Sequence, residues 1–246
     1  MSDHALFAVA PYVAAVCLAV VMLLRYRIAR GRGRLTAVEA SLTRELFGGQ
    51  RAWSLGIAGL AVAHLILLAF PGLVLAWNQS LARLIVLEVV FFAFGVIALV
   101  GLLHLIVAHV RNPAARAGSS VADTAFLGLL VVEIVSGLGL AVLYRWASSW
   151  SVVTLTPYLH SVLGLDPKLA LVQSLPYLVR LHVFAGMALV ALFPFTHLVY
   201  AVLIPIDRAA TLLLAPAQRV LQRAGTRLAE AVRMGGRRLG WREEED

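Results

Sequence analysis

Apolar residues run along this chain in long blocks. Five of them are unbroken over the thickness of a bilayer: Ala5–Leu24, Trp53–Ala76, Leu84–Val110, Ala125–Tyr144 and Tyr177–Ile204. A span takes about 20 apolar residues, and a lone segment in lipid can satisfy its backbone only as a helix. The pattern therefore predicts an all-α integral membrane protein, a bundle of five transmembrane helices. Pro71–Gly72 and Pro205 mark breaks near span ends, and Pro194, inside the last block, predicts a kink because its ring displaces a backbone hydrogen bond. Trp77, Trp146 and Trp150 fall at block edges, where amphipathic rings prefer the headgroup layer.

Charge placement orients the bundle. Arg27, Arg30, Arg32, Arg34, Arg44 and Arg51 crowd the 26–52 loop, Arg111 and Arg116 mark the 111–122 loop, and eight arginines follow Pro205. The other two loops offer only Arg83, Arg145 and Lys168. By the positive-inside rule the N-terminus lies outside and the tail in the cytoplasm. Met1 to His4 carry no basic stretch, so the first block reads as a retained span, not a cleaved leader. The chain divides into a membrane domain, 1–205, and a basic tail, 206–246. In the tail Arg219, Arg223 and Arg227 recur every four residues, as on one face of an amphipathic helix that lies on anionic lipid or docks a cytoplasmic partner.

Composition narrows the classes further. With 61% hydrophobic and 14% charged residues and a mean hydropathy of +0.88, too few polar residues remain to cover a soluble domain. The net charge of +8 gathers on one membrane face, so nucleic-acid binding is excluded as its explanation. One cysteine, Cys17, rules out a disulfide framework and a cysteine-ligated cluster.

Five histidines lie inside the blocks: His64, His104, His109, His182 and His197. A titratable ring in hydrocarbon is expensive without a partner, and neutral imidazole is a common axial ligand of haem iron in helical bundles. Depth suggests the pairs. At 1.5 Å per residue His64 lies roughly 12 Å, and His182 roughly 6–9 Å, below the outer ends of their spans. His197 is roughly 22 Å beyond His182, and His104 roughly 30 Å along the third span, at comparable depth. His109 lies roughly 7 Å further in, where it can also snorkel. The expectation is an outer haem between His64 and His182 and an inner site drawn from His104, His109 and His197.

The string Arg180-Leu181-His182-Val183-Phe184-Ala185-Gly186-Met187, with Leu192-Phe193-Pro194-Phe195-Thr196-His197 after it, resembles the fifth span of respiratory nitrate reductase gamma subunits. Gly56–His64, Ala122-Asp123 with Gly137-Leu138, and Tyr12 with Leu24-Arg25-Tyr26 extend the resemblance over the five spans. It implies a cytochrome b subunit of the prokaryotic inner membrane that oxidises quinol near the outer face. Electrons then pass through haem b to a cytoplasmic iron–sulfur subunit and a catalytic molybdenum subunit. The outer ligands carry over as His64 and His182. The inner ones do not: Ser54 and Tyr200 stand at those positions. Either the chain keeps one haem, or a second is re-ligated by His197 with His104 or His109; the depth match favours two.

Other charges fit around this scheme. Arg83 at the outer mouth of the third span and Glu88 roughly 7–8 Å deeper are candidates for the quinol site, Glu88 as a proton acceptor. Arg180 is placed to neutralise a haem propionate or to snorkel. Glu133 can accept from a histidine N–H or from a hydroxyl of a neighbouring helix, and the small-residue face of Gly56, Gly59, Ala61 and Ala63 suits close helix packing as well as room for a cofactor. Two other classes share parts of this pattern. One is the cytochrome b of a membrane hydrogenase or sulfur-metabolising complex. The other is a proton-relay transporter, which predicts internal repeats that the sequence lacks.

Overall fold

The computed structural model describes residues 4–31 and 51–214. A short π-helical turn, Ala5–Val9, runs into α1, Ala10–Gly31. It is followed by α2 Arg51–Ala69, α3 Pro71–Trp77, α4 Leu81–Arg111, α5 Pro113–Gly118 and α6 Val121–Leu143. Then come α7 Ala147–Leu163, α8 Tyr177–Leu192 and a 3-10 turn, Phe193–Phe195. Among the described residues five helices are long and apolar enough to cross a membrane, the five expected from the hydropathy blocks. Large apolar side chains such as Val62, Leu65, Val86, Val89 and Val135 point outward from them. That surface is costly in water and ordinary against lipid chains.

Helices pack in the order α2–α4–α6–α8–α1. The closest seam, α2 on α4, depends on missing side chains. A Cβ on Gly56 would strike the backbone of Ala98, and one on Gly101 would strike the backbone of Trp53. The ring of Phe94 covers Gly59 in the same way. The small-residue face of α2 is therefore a packing surface, which lets two backbones approach in lipid where no hydrophobic force draws helices together. Trp53, Ala98, Leu102, Leu105, Phe126 and Leu130 form the core of that half.

The last span ends sooner than its apolar block. Pro194 has no N–H, and α8 gives way to the 3-10 turn before the backbone becomes helical again over 199–214. The kink expected at Pro194 is a complete break.

The sequence reading contained no helix between Arg145 and Leu163; α7 occupies that stretch. Its scattered serines and threonines keep it from reading as a span, and those hydroxyls make it a fastening. Pro71 cannot donate to Leu67, and the chain turns at Phe70 (φ −128°, ψ 49°), so the end of α2 loses helical donors. Thr156 Oγ1 donates to Leu67 O (3.0 Å) and His160 Nε2 to Leu68 O (2.8 Å) in their place. Tyr158, fully buried, donates to Phe7 O (2.7 Å) and meets the Phe7 ring edge-on at 5.5 Å. Burial, then the neighbouring Tyr12, push its phenol up to about 12, so it remains a donor. Tyr12 in turn donates to Val162 O at 3.1 Å.

The N-terminus of α7 is capped from another helix. Trp146, its N-cap residue, sits in the left-handed region (φ 66°, ψ 41°) and makes no side-chain cap. Glu88 of α4 supplies it: Oε1 accepts from Ser148 N (2.8 Å) and Ser148 Oγ (2.7 Å). A carboxylate also suits the positive end of a helix. Asn78 adds bonds to Ser148 Oγ (3.0 Å) and Ser149 Oγ (2.9 Å).

The helices to this point belong to a unit ending at Ala201; a second unit starts at Val202. Its described part, 202–214, is helical, with Thr211 Oγ1 donating to Asp207 O at 2.6 Å. The proposed arginine face at Arg219, Arg223 and Arg227, and the loop arginines Arg32, Arg34 and Arg44, lie outside the described residues.

Glu88→Ala should cost about 1–2 kcal/mol, the usual range for a lost helix cap, seen as a lower melting temperature in detergent. Glu88→Gln, whose amide oxygen can accept both bonds, should cost much less; equal losses would contradict the capping role. Gly101→Val should destabilise by about 1–3 kcal/mol or more through overpacking. Gly128→Ala, with nothing within 4 Å of the new methyl, should leave the melting temperature unchanged or raised.

Candidate haem-binding site

Two of the histidines expected to pair do meet. His64 on α2 and His182 on α8 face each other with ring centroids 6.2 Å apart and ring planes tilted by 30°. They bridge two helices that are not themselves closely packed among the described residues.

Hydrogen bonding fixes each ring's tautomer. His64 Nδ1 lies 2.8 Å from Leu60 O, the carbonyl one turn earlier on its own helix. A carbonyl can only accept, so Nδ1 carries the proton and Nε2 keeps the lone pair. His182 Nδ1 lies 3.1 Å from Glu133 O and 3.0 Å from Ser136 Oγ. Ser136 directs its own proton to Glu133 O (3.0 Å), which leaves Nδ1 of His182 as the donor there too. Both rings thus hold their proton on the nitrogen that faces backbone, the arrangement by which supporting bonds orient metal-binding imidazoles. Gly137 makes the room: a Cβ there would stand 3.0 Å from His182 Cε1.

The spacing fits a metal between the rings. If both rings held one metal ion, each through a bond of about 2 Å, their centres would be at most about 6 Å apart, the size of the separation seen here. Beside the pair, Glu133 Oε1 is 3.4 Å from His182 Nε2, while its Oε2 is buried with no hydrogen-bond partner. Gly186 accommodates that carboxylate, with 3.3 Å from a hypothetical Cβ to Oε1. A cavity of about 210 Å³ opens near Val179, one turn from His182, between Tyr144, Arg145, Trp150 and Pro176.

The remaining sequence candidates are elsewhere. Arg180 donates from Nε to Leu175 O (2.8 Å) and from Nη2 to Gln173 O (2.6 Å), tying down the loop ahead of α8. Arg83 lies with its guanidinium 5.6 Å from the Trp77 ring, and its carbonyl accepts from Trp77 Nε1 at 2.9 Å. Glu88 caps α7 as described above. His104 is exposed on α4; His109 is half-buried, with Nδ1 enclosed and unpartnered. His197 turns to Asp123, whose Oδ2 takes Nδ1 at 2.6 Å and whose Oδ1 takes the backbone N–H at 2.7 Å. Among the described residues no three of His, Cys, Asp and Glu converge as a metal site.

Of this network Ser136 was not singled out from sequence, and Asp123 and Arg25 entered only through the resemblance, with no role given to them. Ser136 orients His182, and nothing in its surroundings distinguishes it from any small residue of an apolar helix. Asp123 carried a legible signal: Ser120 three residues earlier forms with it a reciprocal capping box at the start of α6. Arg25 donates from Nη1 to Pro194 O (2.8 Å) and Thr196 O (3.0 Å), and its guanidinium lies 5.0 Å from the Tyr200 ring.

Comparison with known proteins gives the family of the chain. The chain is 23% identical over 193 residues to the respiratory nitrate reductase 2 gamma chain of Escherichia coli K12, covering 77% of this chain and 85% of that one. It is 30% identical over 220 residues to the nitrate reductase-like protein NarX of Mycobacterium tuberculosis H37Rv. That match covers 84% of this chain but only 32% of the longer relative. The profile of the family described as nitrate reductase gamma subunit matches residues 3–218. With its five spans and this match over most of its length, the chain belongs to the nitrate reductase gamma subunit family.

Proposed function

We propose that this chain is the membrane cytochrome b subunit of a respiratory oxidoreductase, with haem b held between His64 and His182. The observation that carries the reading is the pair of facing rings, each with its Nδ1 proton committed to a backbone carbonyl. Bound there, haem supplies a one-electron carrier. The chain's own residues hold the Nδ1 proton of each ring, which leaves the two Nε2 lone pairs for the iron. In this reading the N-terminus is outside and the C-terminus in the cytoplasm of a prokaryotic inner membrane, with the pair in the outer half of the bilayer; the basic loops support that orientation.

Quinol is the proposed donor and reaches the site from the outer side. Arg83 and Glu88 form the edge of its binding site. Glu88 Oε1 holds α7, which leaves Oε2, without a partner among the described residues, to take a proton released from quinol. Electrons go on to an iron–sulfur subunit and a catalytic molybdenum subunit, on the pattern implied by the family. The names of the relatives point to nitrate as the terminal acceptor, reduced on another chain.

In membranes made with haem available, a short-chain quinol should reduce a b-type spectrum in the wild type. His64→Ala and His182→Ala should each abolish that spectrum and lower quinol-dependent haem reduction more than tenfold. Full haem content in either variant would overturn the assignment.

A further inference from the structure

We infer that this chain carries a single haem, because the half of the bundle facing the cytoplasm is closed by a polar clasp instead of a second ligand pair. The inference rests on the function proposed above and goes against the sequence-based preference for two haems. An inner haem would need either the residues at the family's inner positions, Ser54 and Tyr200, or His197 opposite a histidine of α4. Neither set fits.

Ser54 offers only an exposed hydroxyl on α2, which is no ligand for haem iron. Tyrosine can serve as a phenolate ligand, but Tyr200 is 8% exposed and the Arg25 guanidinium lies 5.0 Å from its ring. An arginine within a span is costly unless its donors are satisfied. Arg25 Nη1 is satisfied by the carbonyls of Pro194 and Thr196, which the break after α8 leaves without helical donors. The guanidinium and the broken helix answer each other's unmet hydrogen bonds, and Tyr200 closes the arrangement.

His197 has a carboxylate where the outer pair has backbone carbonyls, and that carboxylate also fixes its backbone. Its backbone N–H and its Nδ1 both bond to Asp123, a carboxylate 1% exposed that also caps α6 through Ser120. These bonds tie the restart of the last helix to the N-terminus of α6. Where His182 has His64 opposite at 6.2 Å, His197 has the Asp123 carboxylate against it. Among the described residues neither His104 nor His109 joins His197 and Asp123 in a convergent group. No electron step is therefore assigned to a second haem.

The test is the haem content of the purified full-length protein, made with haem supplied and quantified per polypeptide, together with a potentiometric titration. One haem per chain and a single one-electron wave are expected. Two haems, two resolved waves or an added high-spin haem would overturn the inference while leaving the function standing. No haem in intact protein would overturn both. His182→Ala separates a true single site from a half-filled pair: it should lose all haem, and a b-type spectrum at half the wild-type amplitude would overturn the single-haem assignment.

Discussion

An imidazole on a membrane helix must place its proton, and in this bundle that requirement orders much of the rest. His64 gives its Nδ1 proton to the carbonyl of its own preceding turn, which needs nothing beyond the helix. His182 gives its proton to a carbonyl on a neighbouring helix. That bond demands close approach of α6 and α8, and Gly137 permits it because the His182 ring occupies the space a side chain would take. Once both protons are committed, each ring keeps its Nε2 lone pair, with Glu133 Oε1 3.4 Å from that of His182. The proposed haem site is thus a consequence of where two backbone carbonyls stand.

A second constraint is the fate of backbone groups at helix breaks in a membrane, where water cannot satisfy them. The chain breaks at Pro71 and at Pro194, and each break draws a polar side chain from a distant element. At Pro71 the donors are Thr156 and His160 of α7; at Pro194 the donor is Arg25 of α1. These bonds make α7 a fastening rather than a span: it joins α1, α2, α3 and α4 through hydroxyl, phenol, imidazole and carboxylate contacts. The clasp at Arg25 does the same at the second break, in the place where the family would keep a ligand.

Much of this was legible in the sequence. Twenty-residue apolar blocks give the five spans, because the backbone in lipid leaves few alternatives. The pairing of His64 with His182 followed from depth along two helices and from the resemblance around Arg180–Met187. What sequence could not supply was the destination of side chains across long separations. Glu88 looked like a membrane carboxylate awaiting a proton, and its main partner proved to be Ser148, sixty residues away. His197 matched His104 in depth, and depth along a helix gave no sign of the Asp123 carboxylate that His197 meets. α7 went unseen because hydropathy registers spans, and its polar residues serve the ends of other helices.

The claim that everything above converges on is bis-imidazole ligation by His64 and His182. Near-infrared magnetic circular dichroism of the oxidised, purified protein addresses it directly, since the ligand-to-metal band reports the identity of both axial ligands. The account predicts a low-spin ferric haem with two imidazole ligands, a signal absent from His64→Ala and from His182→Ala. A band for one imidazole with a different second ligand, or an unchanged bis-imidazole band in either variant, would contradict it.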